Sequence, residues 1–158
     1  MAKKKQRKPP KPWSMHPLKH PEVSRLLEDA NLSFTFQNND DESGWTKTYD
    51  SSIIGRFICH NPNCATDGWS SKQVAITIRM YPKQKYNARV YHQRCERCNS
   101  LSKPKLDDTY AERVAYRIKK WCGIKLEMRP YSGKSKGPHK NELCEGCKAG
   151  HCAQSSGF

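Results

Sequence analysis

Cysteine spacing constrains this chain more than any other feature. Cys59 and Cys64 bound the run CHNPNC, Cys95 and Cys98 bound CERC, and Cys144, Cys147 and Cys152 crowd into CEGCKAGHC. The rest of the sequence makes such clusters necessary. Apolar residues form only 35% of the 158, with ten prolines and nine glycines among the remainder, so the core is small. Ordering each residue costs roughly 1–2 kcal/mol of backbone entropy, and a chain this polar is expected to need cross-links. Disulfides and metal are the alternatives, and they imply opposite redox compartments. The opening MAKKKQRKPPKPW has charge but no apolar stretch behind it, and no run of about 20 apolar residues follows anywhere. The expectation is a cytoplasmic or nuclear protein whose thiols stay reduced, where closely spaced cysteines read as zinc ligands.

Two ions are expected. Each of the pairs Cys59/Cys64 and Cys95/Cys98 lies just beyond a strand signal, and two short chelating loops brought together complete a tetrahedron with Zn–S bonds of about 2.3 Å. The second set is Cys144, Cys147 and Cys152 joined by His139 in PHKNELCEGCKAGHC, where Gly146 and Gly150 let the backbone turn toward the sulfurs. Four protein ligands leave no open coordination position, so both sites are expected to be structural. Exchange of cysteine pairs between the two sites stays open. His60 and His151 adjoin ligand cysteines as substitutes, His92 reads as a packed or exposed imidazole, and Cys122 reads as a buried, inert thiol at a helix end.

Around these clusters the fold class reads as α+β: a small antiparallel meander with one main amphipathic helix. Residues 1–20 read as a disordered basic tail carrying Lys3, Lys4, Lys5, Arg7, Lys8 and Lys11. Residues 21–50 read as a short helix from Pro21, with Val23, Leu26 and Leu27 on one face, followed by an acidic loop around Asp40, Asp41 and Glu42. The zinc-binding domain is placed at 51–152 and a short tail at 153–158. Within the domain, strand signals begin at Ile53, and Val74, Ile76 and Ile78 alternate with smaller or polar residues. In the next strand, Tyr86, Ala88, Val90 and His92 share one face, with Asn87, Arg89, Tyr91 and Gln93 on the other. The main helix is expected between Asp107 and Trp121, with Asp107 or Asp108 as its cap and Gly123 as its stop.

The segments GRFICHNPNC, WSSKQVAI, ARVYHQRCERC, LDDTYAERVAYRIKKWCGI and PHKNELCEGCKAGHC, in that order, resemble the 3CxxC-type zinc-finger family. That family includes receptor-transporting proteins, zygote arrest proteins and short fungal members, to which this chain is most similar. The resemblance implies zinc binding. It also implies either escort of membrane receptors or binding of RNA, since members do each. CHNPNC departs from the family's CxxC, and no hydrophobic anchor follows the last cysteine, which weighs against membrane escort.

Formal net charge is +14, and thiolates at two zinc sites reduce it without reversing it. A polyanionic partner is expected, nucleic acid first. The stretch from Gly68 to Leu106 carries Lys72, Arg79, Lys83, Lys85, Arg89, Arg94, Arg97, Lys103 and Lys105 against the single acid Glu96. Cations interleaved with tyrosines suit single-stranded or structured RNA, because phosphates meet Lys or Arg while bases lie on rings. The candidate nucleic-acid contacts are Lys72, Arg79, Lys83, Lys85, Arg89, Tyr91 and Arg94. Trp69 and Trp121 read as core. The alternative function is an adaptor or chaperone that holds an acidic or membrane-protein partner, using the sheet face or the helix face Arg113, Arg117 and Lys120. No nucleophile–base pair, phosphate loop or open metal site can be named, so an enzyme is not expected.

Overall fold

The computed structural model describes residues 11–39, 43–66, 68–124, 143–149 and 151. The chain enters through β1 (Trp13–Ser14), a 3-10 turn (Pro17–Lys19), helix α1 (His20–Glu28) and β2 (Thr35–Phe36). The meander follows as β3 (Lys47–Phe57), β4 (Trp69–Tyr81) and β5 (Lys85–Tyr91). Short strands β6 (Gln93–Arg94), β7 (Leu101–Ser102) and β8 (Lys105–Leu106) lead to helix α2 (Asp108–Trp121), and α3 (Glu145–Lys148) lies near the C-terminus. The sheet runs β1-β5-β4-β3-β8, with β2 also on β5, while β6 and β7 form a separate ribbon. This is the expected α+β meander.

Alternation along the strands fixes what each face covers. Val74, Ile76 and Ile78 of β4, Ala88 and Val90 of β5 and Ile53 of β3 pack with Val23 and Leu27 of α1 and Val114 and Ile118 of α2. Each valine, leucine or isoleucine side chain so buried is worth roughly 1.5–3 kcal/mol. The opposite face is buried as well. Ala75 and Tyr91 pack with Cys144, Trp13 and Cys147 in a second, smaller cluster. Gly146 of α3 belongs to that contact, because a Cβ there would overlap the methyl of Ala75. A sheet covered on both sides explains why every residue from Gln73 to Arg79 is buried.

Two segments differ from the sequence reading. Residues 11–20, expected in a tail, supply β1, the 3-10 turn and the start of α1; β1 pairs Trp13 with Tyr91 and Ser14 with Val90, closing the open edge of β5. Residues 47–50, expected in the acidic loop, begin β3. Their polar pattern suits the sheet because the second face holds polar pairs. The Thr77 hydroxyl donates to Asp50 Oδ1 at 2.7 Å, and His151 Nδ1 lies 3.3 Å from Asp50 Oδ2. The core of the acidic loop, Asp40 to Glu42, and the lysines before Lys11 lie outside the described residues.

Helix α2 is started by Asp107, whose carboxylate accepts the backbone N–H of Thr109 at 2.9 Å. The Thr109 hydroxyl in turn accepts the backbone N–H of Ile54 at 3.0 Å. That N–H needs such a partner because β3 and β4 lose register between Ile53 and Gly55.

Candidate metal centre

Beyond the sheet end, the loop from β3 carries Cys59 and Cys64, and the ribbon of β6 and β7 carries Cys95 and Cys98. Gly68 closes the first loop at φ 111°, where any Cβ would overlap the Phe57 carbonyl oxygen. Phe57 and Trp69 stack at 5.0 Å across the strands that bracket this loop. The Trp69 indole N–H donates to Gln93 Oε1 at 3.1 Å, and the Gln93 amide donates to the Ser71 hydroxyl at 3.1 Å. The two cysteine loops are thereby held to each other through β4 and β6.

The four sulfurs converge within 4.8 Å of one another. Cys59 and Cys98 Sγ are 3.4 Å apart, and Cys64 and Cys95 Sγ are 3.8 Å apart. A tetrahedron with Zn–S bonds of about 2.3 Å has sulfur–sulfur edges of about 3.8 Å, so the cluster fits zinc. Thr66 Oγ1 lies 3.2 Å from Cys64 Sγ and 3.6 Å from Cys95 Sγ, and the Ser100 hydroxyl lies 3.1 Å from Cys98 Sγ. These hydroxyls were not singled out from the sequence, although each stands two residues after the second cysteine of its loop.

The electrostatics match a cation site. The Ser100 side chain and backbone N–H draw Cys98 down to about 6, and the Thr66 hydroxyl lowers Cys95. Cys59 is pushed up to about 12: the Asn61 backbone bond favours its thiolate, but burial and the sulfurs of Cys98, Cys95 and Cys64 outweigh that bond. Thiolates crowded this closely oppose one another until a dication neutralises them. Four protein sulfurs close the coordination shell, so the ion would hold the two loops together rather than activate a water.

Among the described residues no other group of three metal-ligating side chains converges. Cys144 is buried and its Sγ accepts the Cys147 backbone N–H at 3.4 Å, while His139 and Cys152 lie outside the described residues. His151 stacks on Tyr91 at 6.0 Å and binds Asp50 instead of completing a group with Cys144 and Cys147. His92 is buried, with Nε2 3.0 Å from the Ser14 hydroxyl. Cys122, expected to be buried, is exposed, because it caps α2 where the chain leaves the core.

The candidate nucleic-acid residues do not form one open surface. Arg79, Arg89 and Tyr91 are buried, contrary to the expectation that they project from a polar face. The cause is the covering of the second sheet face: Arg89 lies 4.1 Å over the Trp13 ring, and Tyr91 packs in the cluster with Cys144. Arg94 is held by Glu145 through its Nε at 2.7 Å and by the Asn99 carbonyl at 3.0 Å. Burial opposes ionisation of Glu145, but the bonds from Arg94 and Lys148 outweigh it and hold its carboxyl below the usual range. Lys72, Lys83 and Lys85 remain exposed. On α2, the Arg117 guanidinium covers the Tyr49 ring at 3.3 Å.

No helix among the described residues is long and apolar enough to cross a membrane. Neither curated proteins nor solved structures give a match to the chain. A family model for a zinc-binding domain of the 3CxxC zinc-ribbon type matches residues 52–150, more than half of the sequence, and the converging cysteines lie within that span. This protein belongs to the 3CxxC zinc-ribbon family of zinc-binding domains.

Proposed function

We propose that this zinc-organised module acts by binding RNA in the cytoplasm or nucleus, as a binding protein and not an enzyme. The observation that carries the reading is the exposure of Lys72, Lys83, Lys85, Lys103 and Lys105 in a stretch whose single acid is Glu96. A net charge of +14 adds long-range attraction for a polyanion. With Arg79, Arg89 and Tyr91 buried, the contacts fall to exposed lysines rather than to a sheet of stacking rings, so phosphate recognition dominates and affinity falls steeply with salt. Filter binding of a single-stranded RNA panel at two salt concentrations tests this. Retention that weakens with salt is the expected result; no retention near physiological salt would sink the reading.

A second zinc ion completes the proposal, held by Cys144, Cys147, His139 and Cys152. Its support is the placement of Cys144 and Cys147 in the buried cluster with Ala75 and Tyr91, where an ion would pin the C-terminal segment against the sheet. Metal analysis of the purified protein should give about two zinc per chain. A value of one would remove the second site.

A further inference from the structure

Strand β3 carries a charge pairing that its fold does not neutralise. Arg56 stands directly opposite Lys105 of β8 on one side and Ser70 of β4 on the other. Directly opposed residues of an antiparallel ladder project from the same face, and like charges placed so are destabilising. All three residues are exposed. Arg56 Nη1 donates to the Ser70 hydroxyl at 3.4 Å, and among the described residues no carboxylate forms an ion pair with Arg56, Lys72 or Lys105. Lys72, also exposed, lies two residues along β4 from Ser70, where the register shift sets Lys72 and Gln73 against Ile54. Bulges of this kind re-aim side chains. Cys59 is three residues beyond Arg56, so the pairing sits where the strand runs into the zinc cluster.

We infer that Arg56, Lys105 and Ser70 form a phosphate-binding point for the backbone of single-stranded RNA, with Lys72 beside it. A phosphodiester oxygen between the opposed strands would accept from a guanidinium, an ammonium and a hydroxyl together. It would also turn the like-charge pair from a repulsion into a clamp. Ile58, 49% exposed just beyond the strand, offers apolar surface for the attached base. The zinc ion gives this point its rigidity, since it fixes the loop at the end of the strand that carries Arg56. The inference rests on the RNA-binding reading and names which residues of the exposed basic surface do the work.

Fluorescence anisotropy on the zinc-loaded full chain, with a labelled single-stranded oligouridylate, tests it. The double variant R56A/K105A is compared with R25A/K47A, which removes the same charge from α1 and from the start of β3. The R56A/K105A protein should bind about 10-fold more weakly or worse. Its slope of log affinity against log salt should fall by about 0.7, as expected when one phosphate contact to a single strand is lost. Zinc content should match the parent and the thermal midpoint should equal or slightly exceed it, since both side chains are exposed and their mutual repulsion is removed. Equal weakening by the two double variants would overturn the assignment while leaving RNA binding intact. Failure of the parent protein to bind would remove the RNA reading and this point with it.

Discussion

Thr66 and Ser100 bring a hydroxyl to a sulfur from equivalent places, two residues beyond the second cysteine of each loop. Donors of this kind stabilise the charged form of a ligand, and their removal typically lowers metal affinity 10- to 100-fold. Ser100→Ala should therefore retain zinc but release it to a competing chelator at a concentration lower by about that factor. Cys98→Ser should lose the ion from this cluster, and Cys122→Ser, at an exposed position far along the chain, should lose none; competition with a chromophoric chelator reads all three. A second residue-scale test concerns Gly146, whose missing Cβ makes room for the Ala75 methyl. Gly146→Ala forces its Cβ onto that of Ala75, and neither methyl has a rotamer by which to swing aside. The expected loss is about 1–3 kcal/mol in chemical unfolding, partly restored by adding Ala75→Gly. A variant as stable as the parent would show that α3 does not rest on β4.

Helix α2 and the meander were the most legible elements because each obeys one period. Asp107 or Asp108 followed by Tyr110, Val114, Ile118 and Trp121 reads as a capped helix, and the structure places the cap at Asp107 with Asp108 in the first turn. Replacing Asp107 with alanine should cost about 1 kcal/mol. Thr109→Val should cost at least as much, because it also orphans the Ile54 backbone N–H at the β3–β4 register shift; urea midpoints of the two variants, read at equal slope, check the order. Other elements gave no such signal. β1 and β2 are two residues each, too short to show a period, and exist because the edge of β5 needs partners. The β4–β5 turn holds Lys83 at φ 65° and Gln84 at φ 56° without a glycine or asparagine to announce it. The cysteine cluster was legible because chelation demands short spacing. The burial of Arg79 and Arg89 was not, since alternation identifies two faces but cannot tell that both are covered.

At the scale of the whole molecule, segments distant in sequence meet on one side of β5. The Pro12 carbonyl accepts the His92 backbone N–H at 2.8 Å, and the His92 carbonyl accepts that of Glu145 at 3.2 Å. Ser14 sits between two imidazoles, its hydroxyl 2.9 Å from His16 Nε2 and 3.0 Å from His92 Nε2. The N-terminal strand, the strand leading to Cys95 and the helix after Cys144 are thus tied at one point. Burial, with Lys103 close by, lowers both histidines from the ordinary value of 6.5 to about 4, and Lys19 adds to the effect at His16. A histidine whose folded value lies below its unfolded one binds its proton more readily in the unfolded chain. Its contribution to stability is therefore complete above about pH 6.5 and is lost as pH falls toward 4. Zinc thiolates also yield to protons on acidification, so the fall in the parent protein combines both effects. Replacing His16 with asparagine separates them: the variant keeps every cysteine and removes one titrating imidazole. Thermal midpoints of the parent should fall more steeply between pH 6.5 and 5 than those of His16→Asn. Parallel lines would mean that the His16 imidazole contributes nothing to the acid sensitivity.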